Sequence, residues 1–140
     1  MGQNTSHNTD LNYEDIQTVI KNPEIYILIN TLPVNQQQCL IPHTLAIEDE
    51  EKLINKMIKE NLDVNIVIYG KNCNDDNVTK KYNQLLSFGF KNVYKYMGGL
   101  FEWLLLQDVY GENLFPTTKK ELDLLKFKPS PILNIRLLKF

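Results

Sequence analysis

The sequence predicts a single-domain α/β fold in three layers, with a central, mostly parallel sheet flanked by helices. Two observations lead to this prediction. The chain has 140 residues, which suits one compact domain. Short β-branched apolar segments at 24–30, 64–69 and 92–96 alternate with longer segments of helical periodicity. Because that order joins parallel strands through helical crossovers, we expect helices on both faces of the sheet.

The first half of the chain contains two predicted helices and two predicted strands. Residues 1–11 are polar and lack periodicity, so we expect a flexible N-terminal arm. Asn12, with Asp15 three residues later, is expected to cap a helix that ends at Asn22 and Pro23. A strand is predicted over 24–30, a short strand around Pro42, and an amphipathic helix over 48–61.

The second half continues the alternation. The near-continuous apolar run 64–69 is typical of a parallel strand covered on both sides. A helix over 77–87 follows, and its inward side chains are expected to be Val78, Tyr82, Leu85 and Leu86. A strand over 92–96 leads to a helix over 98–111. The domain is thus expected to span 12–111, and 112–140 to add a C-terminal helix, capped by Thr118 and Glu121, and an apolar tail.

Composition restricts the partners. With 15 basic and 17 acidic residues the net charge is -2, which argues against nucleic acid because phosphate contacts need a basic face. Cys39 and Cys73 occur without a secretory signal, so a disulfide is not expected and the predicted location is cytoplasmic. Neither a metal nor a cofactor is predicted. Abundant lysine and asparagine indicate an AT-rich coding sequence.

The N-terminal sequence MGQNTS fits the N-myristoylation pattern, with Gly2 exposed after removal of Met1 and Ser6 in the favoured position. The alternative is a polar leader whose second residue happens to be glycine. A single myristoyl chain binds membranes only marginally, so acylation of Gly2 would give a peripheral contact.

The loop of residues 70–76, Gly70-Lys71-Asn72-Cys73-Asn74-Asp75-Asp76, follows the central predicted strand. Loops at the carboxyl ends of parallel strands commonly carry chemistry, and their N–H groups can bind anions. Cys73 is therefore a candidate nucleophile. Asp75 and Asp76 argue against this role, because their negative charge disfavours a thiolate and repels anionic substrates. Asn74, Asp75 or Asp76 is expected instead to cap the following helix.

The stretch FGFKNVYKYMGGLFEW resembles the carboxyl half of the rhodanese-like (sulfurtransferase) domain. The matching positions of the family pattern are Gly89, Phe90, Asn92, Val93, Tyr96, Gly98, Gly99, Leu100 and Trp103. Upstream, Ile41 and Pro42 match the G-H-I-P-G-A segment of the family, whereas His43 and Thr44 replace its glycine and alanine. Asn30 and Leu32 replace an aspartate and an arginine.

The resemblance also implies a missing nucleophile. Active members follow the central strand with a pattern like Y-C-x-x-G-x-R-S. Here Tyr69 matches, Gly70 occupies the cysteine position, Cys73 the glycine position and Asp75 the arginine position. We therefore expect a rhodanese-like fold without sulfurtransferase chemistry.

Two functions remain open from the sequence. The first is a catalytically inactive interaction module that binds an unidentified protein partner, in part through the tail. Similar domains occur in large DNA viruses, and the composition is consistent with that origin. The second is a divergent sulfurtransferase that uses Cys73 as the persulfide carrier.

Overall fold

The computed structural model describes residues 8–133. Gly2 and the end of the apolar tail, residues 134–140, therefore lie outside the described residues. Helices and strands alternate in the order α1 (Tyr13–Lys21), β1 (Tyr26–Asn30), α2 (Ile47–Glu60), β2 (Asn65–Tyr69), α3 (Asp76–Ser87), β3 (Asn92–Tyr96) and α4 (Gly99–Tyr110). Short 3₁₀ helices occur at Val34–Gln36 and Leu124–Phe127.

The three strands form a parallel sheet in the order β1-β2-β3. Val67 of the central strand lies between Leu28 and Tyr94 in register. All five residues of β2 except Asn65 are buried, which agrees with its unbroken apolar sequence. The predicted parallel α/β sheet is confirmed.

Successive strand residues point to opposite faces and feed two hydrophobic clusters. On one face, Leu28 and Val67 pack with α1, α4 and the C-terminal residues Phe115 and Phe127. On the other face, the strand isoleucines pack with α2 and α3. The three-layer arrangement is therefore confirmed. Leu86, expected to face inward, is instead exposed, because Leu85 takes the inward position on α3.

The helix start at Asn12 has the predicted capping box. The Asp15 N–H donates to Asn12 Oδ1 at 3.0 Å, and the Asn12 N–H donates to Asp15 Oδ2 at 3.0 Å. Two orphan donors of the first turn are thereby satisfied. Within the described part of the chain, no helix is long and apolar enough to cross a bilayer.

The prediction of a short strand around Pro42 is wrong. Only one isolated bridge forms there, between Thr44 and Leu28, and the Leu45 N–H donates to the Leu28 carbonyl at 2.8 Å. The reason is a turn, in which the Thr44 N–H bonds the Ile41 carbonyl and His43 takes φ 68°. His43 is an exposed loop residue in this turn.

The prediction of a C-terminal helix after Thr118 is also wrong. Its capping residue forms tertiary bonds instead, since Leu40 N–H donates to Thr118 Oγ1 at 3.0 Å and Thr118 N–H donates to the Leu40 carbonyl at 2.8 Å. Only the short 3₁₀ helix Leu124–Phe127 forms. Phe127 is buried, so this part of the C-terminal extension packs on its own domain.

Candidate functional site

The loop of residues 70–76 connects β2 to α3 at the carboxyl edge of the sheet. Tyr69 precedes it and is fully buried. Its hydroxyl accepts from the Ile41 N–H at 3.2 Å and pairs with Thr44 Oγ1 at 2.7 Å. Burial raises the pKa of the Tyr69 phenol well above its ordinary value. Tyr69 therefore remains neutral and anchors the turn of residues 41–44 to the end of β2.

Asp75 occupies the centre of the loop. Its Oδ2 accepts from the Lys71 N–H at 3.0 Å and from Thr31 Oγ1 at 3.1 Å. Its Oδ1 accepts from the Asn77 N–H at 3.0 Å and so caps α3. Of the three residues that could have capped this helix, Asp75 is the one that does. The donors that converge on the loop centre are thus bound to a carboxylate of the chain itself.

Gly70 lies directly against that carboxylate. A Cβ atom built on Gly70 would lie 2.2 Å from Asp75 Oδ2, 2.6 Å from Thr31 Oγ1 and 2.7 Å from a methyl carbon of Val78. Real Cβ atoms do not approach other atoms this closely. The position that the family pattern gives to the nucleophilic cysteine therefore has no room for a side chain while Asp75 keeps its place.

The start of α4 packs against the opposite side of the loop. The Leu100 N–H donates to the Gly70 carbonyl at 2.9 Å, and the Phe101 N–H donates to the Lys71 carbonyl at 3.0 Å. Gly99 has φ 69°, and a Cβ built there would lie 2.8 Å from the Gly70 oxygen. This explains Gly99 of the Gly98-Gly99 pair, since the close approach of helix to loop requires glycine at position 99.

Asn72 connects the loop to the C-terminal extension. Its side chain is buried, donates from Nδ2 to the Phe127 carbonyl at 2.9 Å, and accepts at Oδ1 from the Asn74 N–H at 2.9 Å. Asn74 is thus held by Asn72, and does not cap α3. The loop is fixed by the central strand, by α4 and by residues from the far end of the chain.

Cys73 is not brought into the centre of the loop. It is exposed, and its Sγ is 3.7 Å from Asn74 Oδ1. Cys39 is buried elsewhere, and burial raises the pKa of its thiol. The two cysteines remain free thiols. No group of three or more potential metal ligands occurs among residues 8–133.

A polar cleft of about 270 Å³ opens over the loop. Its walls carry hydroxyl, amide and charged groups, and its lining residues are Thr31, Pro33, Lys71, Asn72, Asn74, Asp75, Asn77 and Ser130. Cys73 does not line this cleft. The cleft offers hydrogen-bond donors and acceptors to a ligand, and its lining residues include no thiol.

Asn30, which replaces an aspartate of the family pattern, is buried at the end of β1. Its Oδ1 accepts from Gln37 Nε2 at 2.8 Å and from the Leu32 N–H at 2.9 Å, and its Nδ2 donates to Gln37 Oε1 at 3.1 Å. A neutral amide suits this reciprocal pairing. Sequence reasoning missed Gln37 and Thr31, whose partners are set by the fold and not by a local motif.

Three solved structures of bacterial proteins have a similar fold. The BH2092 protein from Bacillus halodurans matches with a TM-score of 0.61 at 18% identity, over 84% of this chain and 85% of that one. The rhodanese-like domain of the Alr3790 protein from Anabaena sp. matches with a TM-score of 0.55 at 18% identity, over 90% and 88%. A protein from Lactobacillus plantarum matches with a TM-score of 0.57 at 18% identity, over 71% and 84%.

These likenesses, at nearly full length, show that the chain has the rhodanese-like fold, as the sequence resemblance implied. No protein-family model matches the sequence, and no curated protein sequence matches it. At this level of identity the comparison concerns the fold alone.

Proposed function

We propose that this chain is a catalytically inactive rhodanese-like module that acts by binding a protein partner. The observation that carries the proposal is the Asp75 carboxylate, which lies 2.2 Å from where a Cβ of residue 70 would be. A side chain of the protein fills the space that a nucleophile would need.

Sulfur transfer needs a thiolate that accepts sulfane sulfur and N–H groups that stabilise the resulting persulfide. In this loop the N–H groups of Lys71 and Asn77 already donate to Asp75. The fixed negative charge also opposes the approach of thiosulfate. Both features support inactivity at the position of Gly70.

Persulfide loading tests the proposal. The purified chain is incubated with thiosulfate or with a small-molecule persulfide, and its intact mass is measured before and after reduction. We expect no reducible mass gain of one sulfur atom and no transfer of sulfur to cyanide. Sulfur on the chain, or turnover above the rate of the donor alone, would contradict inactivity.

The alternative function is sulfur transfer through Cys73. The observation in its favour is that Cys73 belongs to the loop and is exposed to donors. This function requires a persulfide that forms on the native chain and is lost in Cys73→Ser, whereas Cys39→Ser retains it. Loading that follows this pattern would select the alternative over the inactive module.

Partner binding is expected at the cleft over the loop and at residues after Pro129, which continue from its rim at Ser130. Capture from extract with the full chain, with a chain ending at Pro129 and with Asn74→Lys/Asn77→Lys compares these two surfaces. A protein retained by the full chain and lost with either variant supports the proposal, and identical captures from all three argue against it.

We further propose that the module is cytoplasmic and is tethered peripherally to a membrane by a myristoyl group on Gly2. Labelling with a myristate analogue in a eukaryotic extract, with Gly2→Ala as control, tests the tether. Label on the native chain alone supports it. The origin in a large DNA virus stays a prediction from composition.

A further inference from the structure

Residues 119–133, here termed the C-terminal segment, expose an unusual set of apolar side chains. Four large hydrophobic residues are more than half exposed, namely Leu122 at 83%, Leu125 at 58%, Ile132 at 87% and Leu133 at 89%. Single exposed leucines are ordinary, but a run of them within one short segment marks an interaction surface.

The outward orientation is imposed by packing. Leu124 and Phe127 turn toward the core, so Leu125 and Lys126 between them face solvent. The segment is held at its start by Thr118, which bonds Leu40, and in its middle by the Asn72 side chain on the Phe127 carbonyl. Leu122 and Leu125, which lie between these two anchors, therefore cannot turn inward without breaking these contacts.

The charge of the segment is opposite to that of the remaining chain. It carries four lysines, at positions 119, 120, 126 and 128, against Glu121 and Asp123, which gives a net charge of +2. Removing these from the 15 basic and 17 acidic residues of the chain leaves 11 and 15, a net charge of -4. The positive charge is thus concentrated where the exposed leucines are.

Two of these lysines are already paired, Lys120 with Glu112 at 3.0 Å and Lys126 with Glu121 at 2.9 Å. Lys119 and Lys128 form no ion pair with any residue of the described range 8–133. Their ammonium groups are available to an external anion.

We propose that the C-terminal segment binds the surface of a membrane that contains anionic lipids. Exposed leucine and isoleucine side chains enter the headgroup and acyl boundary, and interleaved lysines contact lipid phosphates and carboxylates. This goes beyond the proposed function, which expects a protein partner at the residues after Pro129, and binding to vesicles would assign Ile132 and Leu133 to a lipid surface instead. It would also supply the second signal that a lone myristoyl chain needs for stable attachment.

A lipid surface fits the segment better than a protein interface does. The buried centres of protein interfaces are depleted of lysine, aspartate and glutamate. Here the exposed Leu125 precedes Lys126, and the exposed Leu122 lies between Glu121, which is paired with Lys126, and Asp123. Lysine next to exposed apolar side chains is the pattern of peripheral membrane contact.

Co-sedimentation with vesicles tests the proposal on non-acylated full-length protein, so that Gly2 contributes nothing. We expect binding to phosphatidylcholine vesicles with about 30% phosphatidylserine, little binding to phosphatidylcholine alone, and weakening as NaCl rises from about 50 to about 500 mM. Leu122→Gln/Ile132→Gln should lower the partition coefficient about tenfold or more. Val34→Gln/Val109→Gln, which changes side chains of 79% and 70% exposure outside the segment, should leave it unchanged.

Two double variants that each remove two lysine charges test the electrostatic contribution. Lys119→Gln/Lys128→Gln should weaken partition about thirtyfold, given the usual contribution of a lysine near an anionic surface. Lys56→Gln/Lys59→Gln removes the same charge from the exposed side of α2 and should have a much smaller effect. The proposal is overturned if native protein ignores anionic vesicles, or if both charge variants weaken binding equally. A dimer that Leu122→Gln/Ile132→Gln dissociates would also overturn it, assigning the surface to a second copy.

Discussion

Replacing Gly70 tests directly whether Asp75 occupies the position of the missing nucleophile. Gly70 does not have a positive φ, so its backbone accepts an L side chain without strain. The cost of Gly70→Ala therefore comes from contacts alone, chiefly with Asp75 Oδ2 at 2.2 Å. Gly70→Cys places the same Cβ and adds a sulfur.

The expected magnitude follows from two effects. Overpacking a filled site costs about 2 kcal/mol. Displacing Asp75 removes a helix cap worth about 1 kcal/mol. Gly70→Ala should thus lower the free energy of unfolding by about 3 kcal/mol, and Asp75→Ala alone by about 2 kcal/mol, because it also leaves the Lys71 N–H without its acceptor.

The double variant separates the contact between residues 70 and 75 from the effects of the two single substitutions. In Gly70→Ala/Asp75→Ala the closest contact is absent, so the loss should be about 3 kcal/mol rather than the sum of the single losses. Urea denaturation of the four proteins, followed by tryptophan fluorescence of Trp103, measures the coupling. Strictly additive losses, or a Gly70→Ala variant as stable as the native chain, would refute the reasoning. Persulfide loading of Gly70→Cys should remain absent while Asp75 is present.

Three further predictions concern packing and pH. Gly99→Ala should cost about 4 kcal/mol, because a positive φ and a contact of 2.8 Å with a backbone oxygen combine. Gly111→Ala, at φ 98° and ψ 163° with no atom within 4 Å, should cost about 2 kcal/mol in the same urea assay, from backbone strain alone. Asn72→Asp should cost about 2 kcal/mol and should speed amide exchange over residues 70–75, since it removes the donor to a buried carbonyl; unchanged exchange would contradict the proposed anchoring. Burial raises the pKa of Cys39 and of Tyr69 in the folded state above their ordinary values of 9.0 and 10.0. Their contribution to stability is complete below those ordinary values and is lost as pH rises through the folded-state pKa, so the urea midpoint should fall above about pH 9, and less steeply in Tyr69→Phe.

The regular elements could be predicted because their signals are local. The β-branched runs defined all three strands, and the Asn12 and Asp15 pair defined the start of α1. The loop was predicted as a helix start with an internal cap, and Asp75 fulfils that role. Its second role, filling the space beside Gly70, depends on where Thr31 and Val78 lie, which no short stretch of sequence specifies.

The failed predictions have the same physical origin. Thr118 has the local features of a helix cap, but its hydroxyl accepts from Leu40, a residue 78 positions away in sequence. Similarly, the extended propensity around Pro42 gives way to a turn whose Thr44 hydroxyl bonds the buried Tyr69. In both cases a long-range hydrogen bond outweighs a local preference of comparable size.

The bond between the Asn72 side chain and the Phe127 carbonyl has a consequence for the order of folding. It joins residues 55 positions apart, and the Gly70 carbonyl likewise accepts from the N–H of Leu100, a residue synthesised later. During synthesis, which proceeds at about 5–20 residues per second, β2 emerges seconds before the residues that complete its following loop. The loop of residues 70–76 should therefore be among the last parts of the chain to become protected from amide hydrogen exchange. A chain that ends before Phe127 should form the three strands but leave this loop without its bond from Asn72 to the Phe127 carbonyl.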